Sequence, residues 1–429
     1  MRGLMSRYGD QVAALAVPLR TAGDLDALID RAAGTRVVML GEASHGTHEF
    51  YHWRSAITQR LLEEHGFSFV AVEGDWPDCA RVDASVRALP GGVEDPREAL
   101  YEYDRWPAWM WANEEIVDFT RRLRQLNAGR AKPAGFHGLD VYSLWESLRE
   151  ILVYLRDHDP DQVPGALRAY RCFEPFAEDP QAYAWATRFV DATCEPDVIR
   201  LLTELRERAT ARETEFGLWQ NAAVVAGAEH YYRAMVHGGA RAWNVRDRHM
   251  DETLDRLLEH YGPGSKAVVW AHNTHVGDAR ATDQSRHGEV TLGELARDRY
   301  GADNVLLVGF GSHRGTVVAG QSWGAPMEVM GVPPARDDSL EDILHATAPA
   351  RALFTFPRED PPPLLIDELA HRAIGVVYRP ERERWGNYVP TTLGERYDAF
   401  LWFDETTALR ALHTASVQVH EPETYPSGV

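Results

Sequence analysis

RVVMLGEASHGTHEFYHWR, residues 36–54, is the stretch that decides the fold of this chain of 429 residues. It begins with a short apolar run rich in β-branched residues, passes through a loop that contains two glycines, and continues into a helical segment. This order is typical of one strand–loop–helix unit in a parallel α/β sheet. Glu42 and His45 follow the strand directly, at the place where ligands bind in such sheets.

Five further short apolar runs lie between long helical stretches, and this alternation predicts a mainly parallel sheet flanked by helices. The predicted strands are Arg36–Leu40, Phe67–Val72, Ala134–Gly138, Ala267–Ala271, Val305–Gly309 and Ile374–Tyr378. The segment between the third and fourth strands has helical periodicity throughout. We therefore expect an α/β core from residues 1–140 and 262–429. A large helical insertion, residues 141–261, is expected over the carboxyl ends of the strands.

Charge and composition exclude several classes of function. Lys+Arg 45 and Asp+Glu 65 give a formal net charge of −20, which opposes binding to nucleic acids and to anionic membrane surfaces. No apolar run approaches the roughly 20 residues that a transmembrane helix needs. The three cysteines lack a CxxC motif, so neither a disulfide framework nor a cysteine zinc site is expected. We expect a cytoplasmic protein without an export signal.

An unusually large number of the residues after the predicted strands have side chains suited to acid–base chemistry. In a parallel sheet these positions converge at one edge, towards which the N-termini of the following helices also point. They are Glu42, His45, Glu73, Asp75, His137, Asp140, His272, His275, Ser312 and His313. One buried histidine is usually a packing residue, but so many strand ends with such side chains predict a functional site.

Two interpretations compete for the segment HEFYH, residues 48–52. It matches H-E-x-x-H, in which two histidines one helical turn apart bind zinc and the glutamate acts as a base. Glu73 could supply a third ligand, but it ends a strand, whereas the zincin arrangement needs two helices. The alternative is that the two histidines form a partly exposed pair in the first turn of the helix. His45 is then the better placed imidazole.

The remaining motifs leave hydrolysis by water as the chemistry to expect. GQSWG, residues 320–324, fits G-x-S-x-G, but the prolines that follow do not favour the helix of a nucleophile elbow. No P-loop is present. Imidazoles, carboxylates and Arg54 suit a mechanism in which one histidine deprotonates water, a carboxylate fixes its tautomer, and a cation or second histidine stabilises the oxyanion. We expect ester or lactone hydrolysis without a metal or other cofactor, since the guanidinium would oppose a bound dication.

The aromatic segment YEYDRWPAWMWANEEI, residues 101–116, allows two interpretations. It forms either a core between helices or the wall of an apolar pocket. On the second interpretation Trp106 and Trp109, with Trp76 and Asp75 from the second strand end, bind substrate. The ligand expected is a large, mainly apolar, neutral or cationic ester, because ring faces bury area at little entropic cost.

Four stretches of the sequence together resemble the erythromycin esterase family. They are GEASHGTHEFYHWRSAITQRLLEE, VAVEGDWPD, VVWAHNTHVGD and GVVYRPERERWGNYVP, and the resemblance runs from about residue 36 to about residue 410. It implies a parallel α/β core with a helical part over a deep cleft, and hydrolysis of a macrolide lactone by an activated water.

Position by position, the family's functional residues fall on the strand ends selected above. The G-E-x-x-H motif falls on Glu42 and His45, which the resemblance makes the general base. The helix arginine falls on Arg54, the second-strand glutamate on Glu73, and the A-H-N-x-H pair on His272 and His275. An alternative stays open: a metal- or haem-binding protein, or a metal-dependent hydrolase, that uses the same histidines and carboxylates.

Overall fold

The structure is a computed structural model that describes residues 2–176, 180–189, 193–208 and 213–413. It confirms the α/β class, with a nine-stranded and mostly parallel sheet in the order β1-β8-β11-β6-β2-β5-β3-β4, while β7 pairs only with β6. A separate two-stranded sheet joins β9 and β10. The strands are β1 Ala16–Pro18, β2 Val37–Leu40, β3 Phe69–Val72, β4 Gly135–Gly138, β5 Ala267–Trp270, β6 Val305–Gly320, β7 Met327–Val332, β8 Arg351–Thr355, β9 Glu368–Arg372, β10 Tyr388–Thr392 and β11 Ala399–Thr406.

Helices cover both faces of the sheet, and α3 illustrates their local signals. It starts after Thr47, whose backbone is extended, and ends at Gly66, whose φ of 67° favours glycine. The helices are α1 Arg2–Leu15, α2 Asp26–Ala32, α3 His48–His65, α4 Trp76–Val86, α5 Pro96–Tyr101, α6 Glu114–Asn127, α7 Leu144–His158, α8 Val163–Phe173, α9 Pro180–Phe189, α10 Glu195–Arg208, α11 Glu213–Met235, α12 Ala240–Tyr261, α13 Asn273–Val276, α14 Leu292–Tyr300, α15 Leu340–Thr347, α16 Pro363–Ile366, α17 Glu383–Gly386 and α18 Leu393–Arg396.

The register of the central strands brings their carboxyl ends to one edge. Leu40 lies opposite Trp270 on one side and Val308 on the other, and Val72 lies opposite Trp270 and Gly138. Because these strands are parallel and in register, the residues that follow them start at the same height. The side chains after β2, β3, β4 and β5 therefore meet at this edge.

Alternation along the strands builds a separate apolar core on each face of the sheet. Val38 and Leu40 belong to one cluster of buried side chains, whereas Val37 and Met39 belong to another. All four are fully buried, which is why the strand is a continuous apolar run rather than an alternating one.

The strand predictions are confirmed in five of six places. Ile374–Tyr378 is wrong, because only Ile374 and Val377 form isolated bridges there. The apolar run AFLWF at the start of β11 was missed, although β11 lies inside the sheet between β6 and β8. An apolar run with no helix after it carries no strand–loop–helix signal, so the pattern that identified the other strands did not reveal this one.

The described part of residues 141–261 is helical, and α7 to α12 share an apolar core that is distinct from the two cores of the sheet. The division of the chain into domains stays a prediction. The expectation of no disulfide is wrong, since Cys172 and Cys194 are bonded and only Cys79 is free. The two half-cystines lie 22 positions apart, on α8 and just before α10, where the helices pack together.

Within the described ranges, none of the helices combines the length and the apolar character needed to cross a bilayer. The cytoplasmic location stays a prediction, and it has lost the support of the cysteine argument.

Candidate active site

A cavity of about 90 Å³ lies at the carboxyl edge of the sheet. Its polar wall consists of His45, Glu73, Asp140, Arg246, His272 and His275. Its aromatic wall consists of Tyr103, Trp106, Trp111, Tyr142 and Trp323. Four of the six predicted catalytic residues, from the ends of β2, β3 and β5, therefore meet here: His45, Glu73, His272 and His275.

The loop after β2 holds His45 in one position. The carbonyl of Gly46 accepts hydrogen bonds from Val318 N at 3.1 Å and from Leu409 N at 3.0 Å. A Cβ atom on Gly46 would lie only 2.0 Å from the Val318 carbonyl oxygen, so only glycine fits this close approach. The Tyr51 hydroxyl donates to the carbonyl of His45 at 2.6 Å. The loop is thus fixed on β6 and on α3.

Glu42 and Arg54 orient His45 from behind. His45 Nδ1 lies 2.9 Å from Glu42 Oε1, and Arg54 Nη2 donates to Glu42 Oε2 at 3.0 Å. Arg54 is fully buried, with its guanidinium over the rings of Tyr51 and Trp270. A carboxylate held in this way accepts a hydrogen bond from Nδ1–H, which leaves the lone pair of His45 on Nε2.

Arg54 does not line the cavity. The sequence placed a guanidinium beside the imidazoles to stabilise an oxyanion, and the structure puts Arg246 of α12 there instead. Arg246 was missed because it lies within a helix of the predicted insertion and follows no strand. The Trp243 to His249 segment of α12 carries no motif that marks it as functional.

His275 has the opposite connection. Arg246 Nη1 lies 2.9 Å from His275 Nε2, and since a guanidinium only donates, this nitrogen is the acceptor. Its proton is therefore on Nδ1, which lies 2.8 Å from Asp247 Oδ2. The ring stacks on Trp243 at 4.3 Å, and Leu292 N donates to Asp247 at 2.8 Å. Burial raises the pKa of Asp247, and the interactions with His275 and Arg246 oppose it.

Arg246 joins the two carboxylates of the polar wall. It donates to Asp140 through Nε at 2.9 Å and Nη2 at 2.7 Å, and to Glu73 Oε1 at 2.6 Å. Burial raises the pKa of Glu73, but the interactions with His275 and Arg246 outweigh it and hold this pKa well below its usual range. Burial also opposes ionisation of Asp140, whose pKa Arg246 nevertheless lowers. Both carboxylates are ionised at neutral pH.

His272 presents a donor to the cavity. Its Nδ1 lies 2.7 Å from Thr274 Oγ1 and accepts from Thr274 N at 3.3 Å at the start of α13, and the second contact puts its proton on Nε2. Nε2 is buried without a partner among the described residues, and the ring lies 4.8 Å from that of His45. Burial, together with the neighbouring His45, lowers the pKa of His272 well below its ordinary value, and Glu73 offsets only part of this. His272 is therefore a neutral donor.

Asp75 lines another part of the cavity, with Asp78 and Arg105. Arg105 binds both oxygens of Asp75, at 2.7 and 2.8 Å. Burial and the neighbouring charge of Asp75 raise the pKa of Asp78 to about 7, although Arg81 opposes the shift. Asp75 is thus occupied by an arginine of the protein.

The structure places one of the three predicted substrate-binding tryptophans in the cavity lining. Trp106 lines the cavity and packs on Trp323 at 4.7 Å. Trp109 and Trp76 are buried and do not line it, and their contact with substrate stays a prediction. Trp76 instead stacks on His137 at 5.7 Å. Composition alone does not tell which rings of an aromatic segment face a cavity and which face the core.

The H-E-x-x-H segment has other partners. His48 Nδ1 lies 2.7 Å from Glu115, and Glu49 accepts from Thr407 N at 2.8 Å. Glu73 does not join these residues, because it pairs with Arg246. Across the described ranges, no three His, Cys, Asp or Glu side chains are grouped as ligands of a metal ion.

Comparison with known sequences gives a consistent family assignment. A family model described as "Erythromycin esterase" matches residues 62–406. The Bacillus subtilis (strain 168) protein named "Putative hydrolase YbfO" is 19% identical over 400 residues, which cover 87% of this chain and 84% of that protein.

Solved structures share the fold at low identity. A succinoglycan biosynthesis protein superposes with a TM-score of 0.76 and 19% identity, covering 94% of this chain and 97% of that one. A Bacillus cereus protein gives 0.78 and 18%, with coverage of 95% and 99%. A mutant of the erythromycin esterase EreC, in an open conformation, gives 0.67 and 16%, with coverage of 93% and 97%.

Proposed function

This chain belongs to the erythromycin esterase family, and we propose that it is a carboxylic ester or lactone hydrolase in which His45 activates water. Family membership and the relative named as a hydrolase support the reaction class. The observation that carries the assignment of the base is the difference between the two histidines with carboxylate partners. His45 keeps Nε2 free of protein partners among the described residues, whereas Arg246 occupies Nε2 of His275.

In the proposed reaction, His45 Nε2 removes a proton from water as the water oxygen attacks the carbonyl carbon. The carbonyl π electrons move to oxygen, which becomes an oxyanion. Protonated His45 then returns the proton to the alcohol oxygen as the carbon–oxygen bond breaks. An ester gives an acid and an alcohol, and a lactone gives a hydroxy acid.

His272 and Arg246 are suited to stabilise the oxyanion. The Nε2–H of His272 is a buried donor without a protein partner, beside the ring of His45. Arg246 lies in the same wall, where it shares its charge with Glu73 and Asp140. Donors that are in place before the reaction stabilise developing charge without reorganisation, and loss of one typically costs about 10²- to 10³-fold in kcat.

The volume of the cavity bears on the substrate. At about 90 Å³ it is far below the roughly 300–1,000 Å³ of sites for drug-sized ligands. We propose that this conformation accommodates the ester group and its immediate neighbours. A macrocyclic lactone would require the aromatic wall to move away from the sheet.

Hydrolysis of nitrophenyl acetate, nitrophenyl butyrate and a macrocyclic lactone by the full chain tests the proposal, with chelator present throughout. His45→Gln should lower kcat by about 10³-fold or more. His52→Gln, which changes an exposed histidine of the same region, should not. Absence of hydrolysis in the wild type, or equal losses in both variants, would contradict the proposal. Activity that chelator abolishes and zinc restores would favour the metal-dependent alternative.

A tryptophan pair tests which part of the aromatic segment contacts substrate. Trp106→Ala should raise KM for the larger ester more than for the acetate, because Trp106 lines the cavity. Trp109→Ala should lower the melting temperature with little change in KM, since removal of a buried tryptophan side chain costs about 3–5 kcal/mol. The reverse result would return the aromatic segment to a purely structural role.

A further inference from the structure

A second cavity, of about 410 Å³, lies between α11 and α12, outside the candidate active site. Its lining includes five basic side chains, which are His230, Arg233, His237, Arg241 and Arg248. No carboxylate lines it, although the chain carries a net charge of −20. We name it the basic groove.

The geometry of two helices produces this groove. Its lining residues occupy positions 230, 233, 234 and 237 of α11 and its C-terminal turn, and positions 241, 244, 245 and 248 of α12. Both sets follow the spacing i, i+3, i+4, i+7, which is one face of an α-helix. Asn244 is anchored by Val290 N at 2.9 Å and by the carbonyl of Gly288 at 2.9 Å. The Ala234 and Val245 side chains form an apolar floor.

Two of the arginines have no acidic partner within the part of the chain that the structure describes. Many exposed arginines of this chain pair with carboxylates, as Arg97 does with Glu114. Arg241 and Arg248 form no ion pair with any described residue. Burial raises the pKa of Glu294, and the charge of Arg248 opposes this shift. The groove therefore contains uncompensated positive charge.

Arg233 is different, because it is held in place by the protein. It pairs with Glu195 at 3.1 Å and with Glu229 at 3.2 Å. These contacts fix one guanidinium at the edge of the groove, while Arg241 and Arg248 keep their donors available.

We propose that the basic groove binds a small organic phosphate. Guanidinium groups match the oxygen pairs of a phosphate, and two free arginines balance a dianion better than a single carboxylate. The volume and the apolar floor leave room for an organic group as well as the phosphate. A long polyanion is disfavoured, because the rest of the surface is acidic. This site is independent of the ester hydrolysis proposed above.

Isothermal titration with phenyl phosphate and with inorganic phosphate, at constant ionic strength, tests this proposal on the full chain. Phenyl phosphate should bind saturably and more tightly than inorganic phosphate. The double variant Arg241→Gln/Arg248→Gln should weaken binding at least tenfold. The matched control, Arg149→Gln/Arg156→Gln, changes two exposed arginines of α7 and should bind as the wild type does.

Three results would overturn the proposal. The first is no saturable binding at millimolar phenyl phosphate, and the second is an equal loss of affinity in both double variants. The third is equal affinity for benzoate and phenyl phosphate, which would mean that the groove does not select phosphate. Circular dichroism of each variant separates loss of binding from loss of fold.

Discussion

The cavity has two histidines with carboxylate partners and arginine neighbours, and the two groups are connected differently. In the first, Glu42 lies between His45 and Arg54, so the guanidinium contacts the carboxylate and not the ring. In the second, Arg246 contacts the ring of His275 itself, while Asp247 holds the other nitrogen. A histidine, a carboxylate and an arginine thus produce a ring with a free lone pair in one group and an occupied one in the other.

A carboxylate partner alone therefore does not make a histidine a base. What matters is whether the second nitrogen meets the cavity or a donor of the protein. His45 satisfies this condition. His275 instead links Asp247 to Arg246, which in turn binds Glu73 and Asp140.

Replacement of one or the other histidine should give the largest contrast between the two groups. We expect His45→Gln to lower kcat by about 10³- to 10⁴-fold, because the only free imidazole lone pair of the polar wall is lost. His275→Gln should lower kcat by only about 10- to 100-fold, since it disturbs the position of Arg246 without removing the base. Equal losses, measured with the same nitrophenyl ester, would erase the distinction between the two groups.

The second largest contrast is expected in the free energy of unfolding when either arginine is replaced. Arg246→Met leaves Glu73 and Asp140 buried without their cation, and breaking such buried pairs costs about 3–5 kcal/mol in the free energy of unfolding. Arg54→Met leaves only Glu42 without a cation and should cost less. Urea unfolding of both variants measures this, and a larger loss for Arg54→Met would contradict the ranking.

The carboxylates that hold the rings should show a smaller contrast in activity. Glu42→Gln offers His45 Nδ1 an amide that can donate, which favours the wrong tautomer, and should lower kcat by about 10²-fold. Asp247→Asn should lower kcat less, because the Arg246 contact still sets the tautomer of His275. Steady-state kinetics at one pH suffices, and identical losses would show that Arg246 does not set that tautomer.

The smallest expected contrast is in acid stability. The pKa values of Glu73 and Asp140 are lowered in the fold, so their stabilising contribution is complete above the ordinary values of 4.5 and 3.8. It is lost as the pH falls through the lower folded values. Between pH 6 and pH 3 the wild type should lose about 1–3 kcal/mol more than Arg246→Met does. Parallel curves for the two proteins would contradict the assigned cause of the shifts.

Functional side chains that directly follow a strand could be predicted from the sequence. His45, Glu73, His272 and His275 were predicted to converge because parallel strands in register bring their carboxyl ends together, and these side chains do line one cavity. Asp247 and Arg246 were not predictable in this way. They come from the middle of α12, and nothing in an amphipathic helix of the insertion tells which turn reaches the sheet.

The directions in which side chains point could not be predicted from the sequence. Trp106 and Trp109 lie three positions apart in one aromatic segment, yet only Trp106 lines the cavity. The pairing of Cys172 with Cys194 was also missed, because an odd number of cysteines does not say which two lie close in space. In each case the answer depends on tertiary packing that no local pattern records.

The two arginines also differ in how far along the chain their carboxylate partners lie. Glu42 is three positions from His45 and 12 from Arg54, whereas Arg246 is 173 positions from Glu73 and 106 from Asp140. Contacts between distant positions close larger loops and form later in folding. A refolding chain should therefore orient His45, the proposed base, before α12 docks, and should regain its native α-helical circular dichroism before it regains the proposed hydrolase activity.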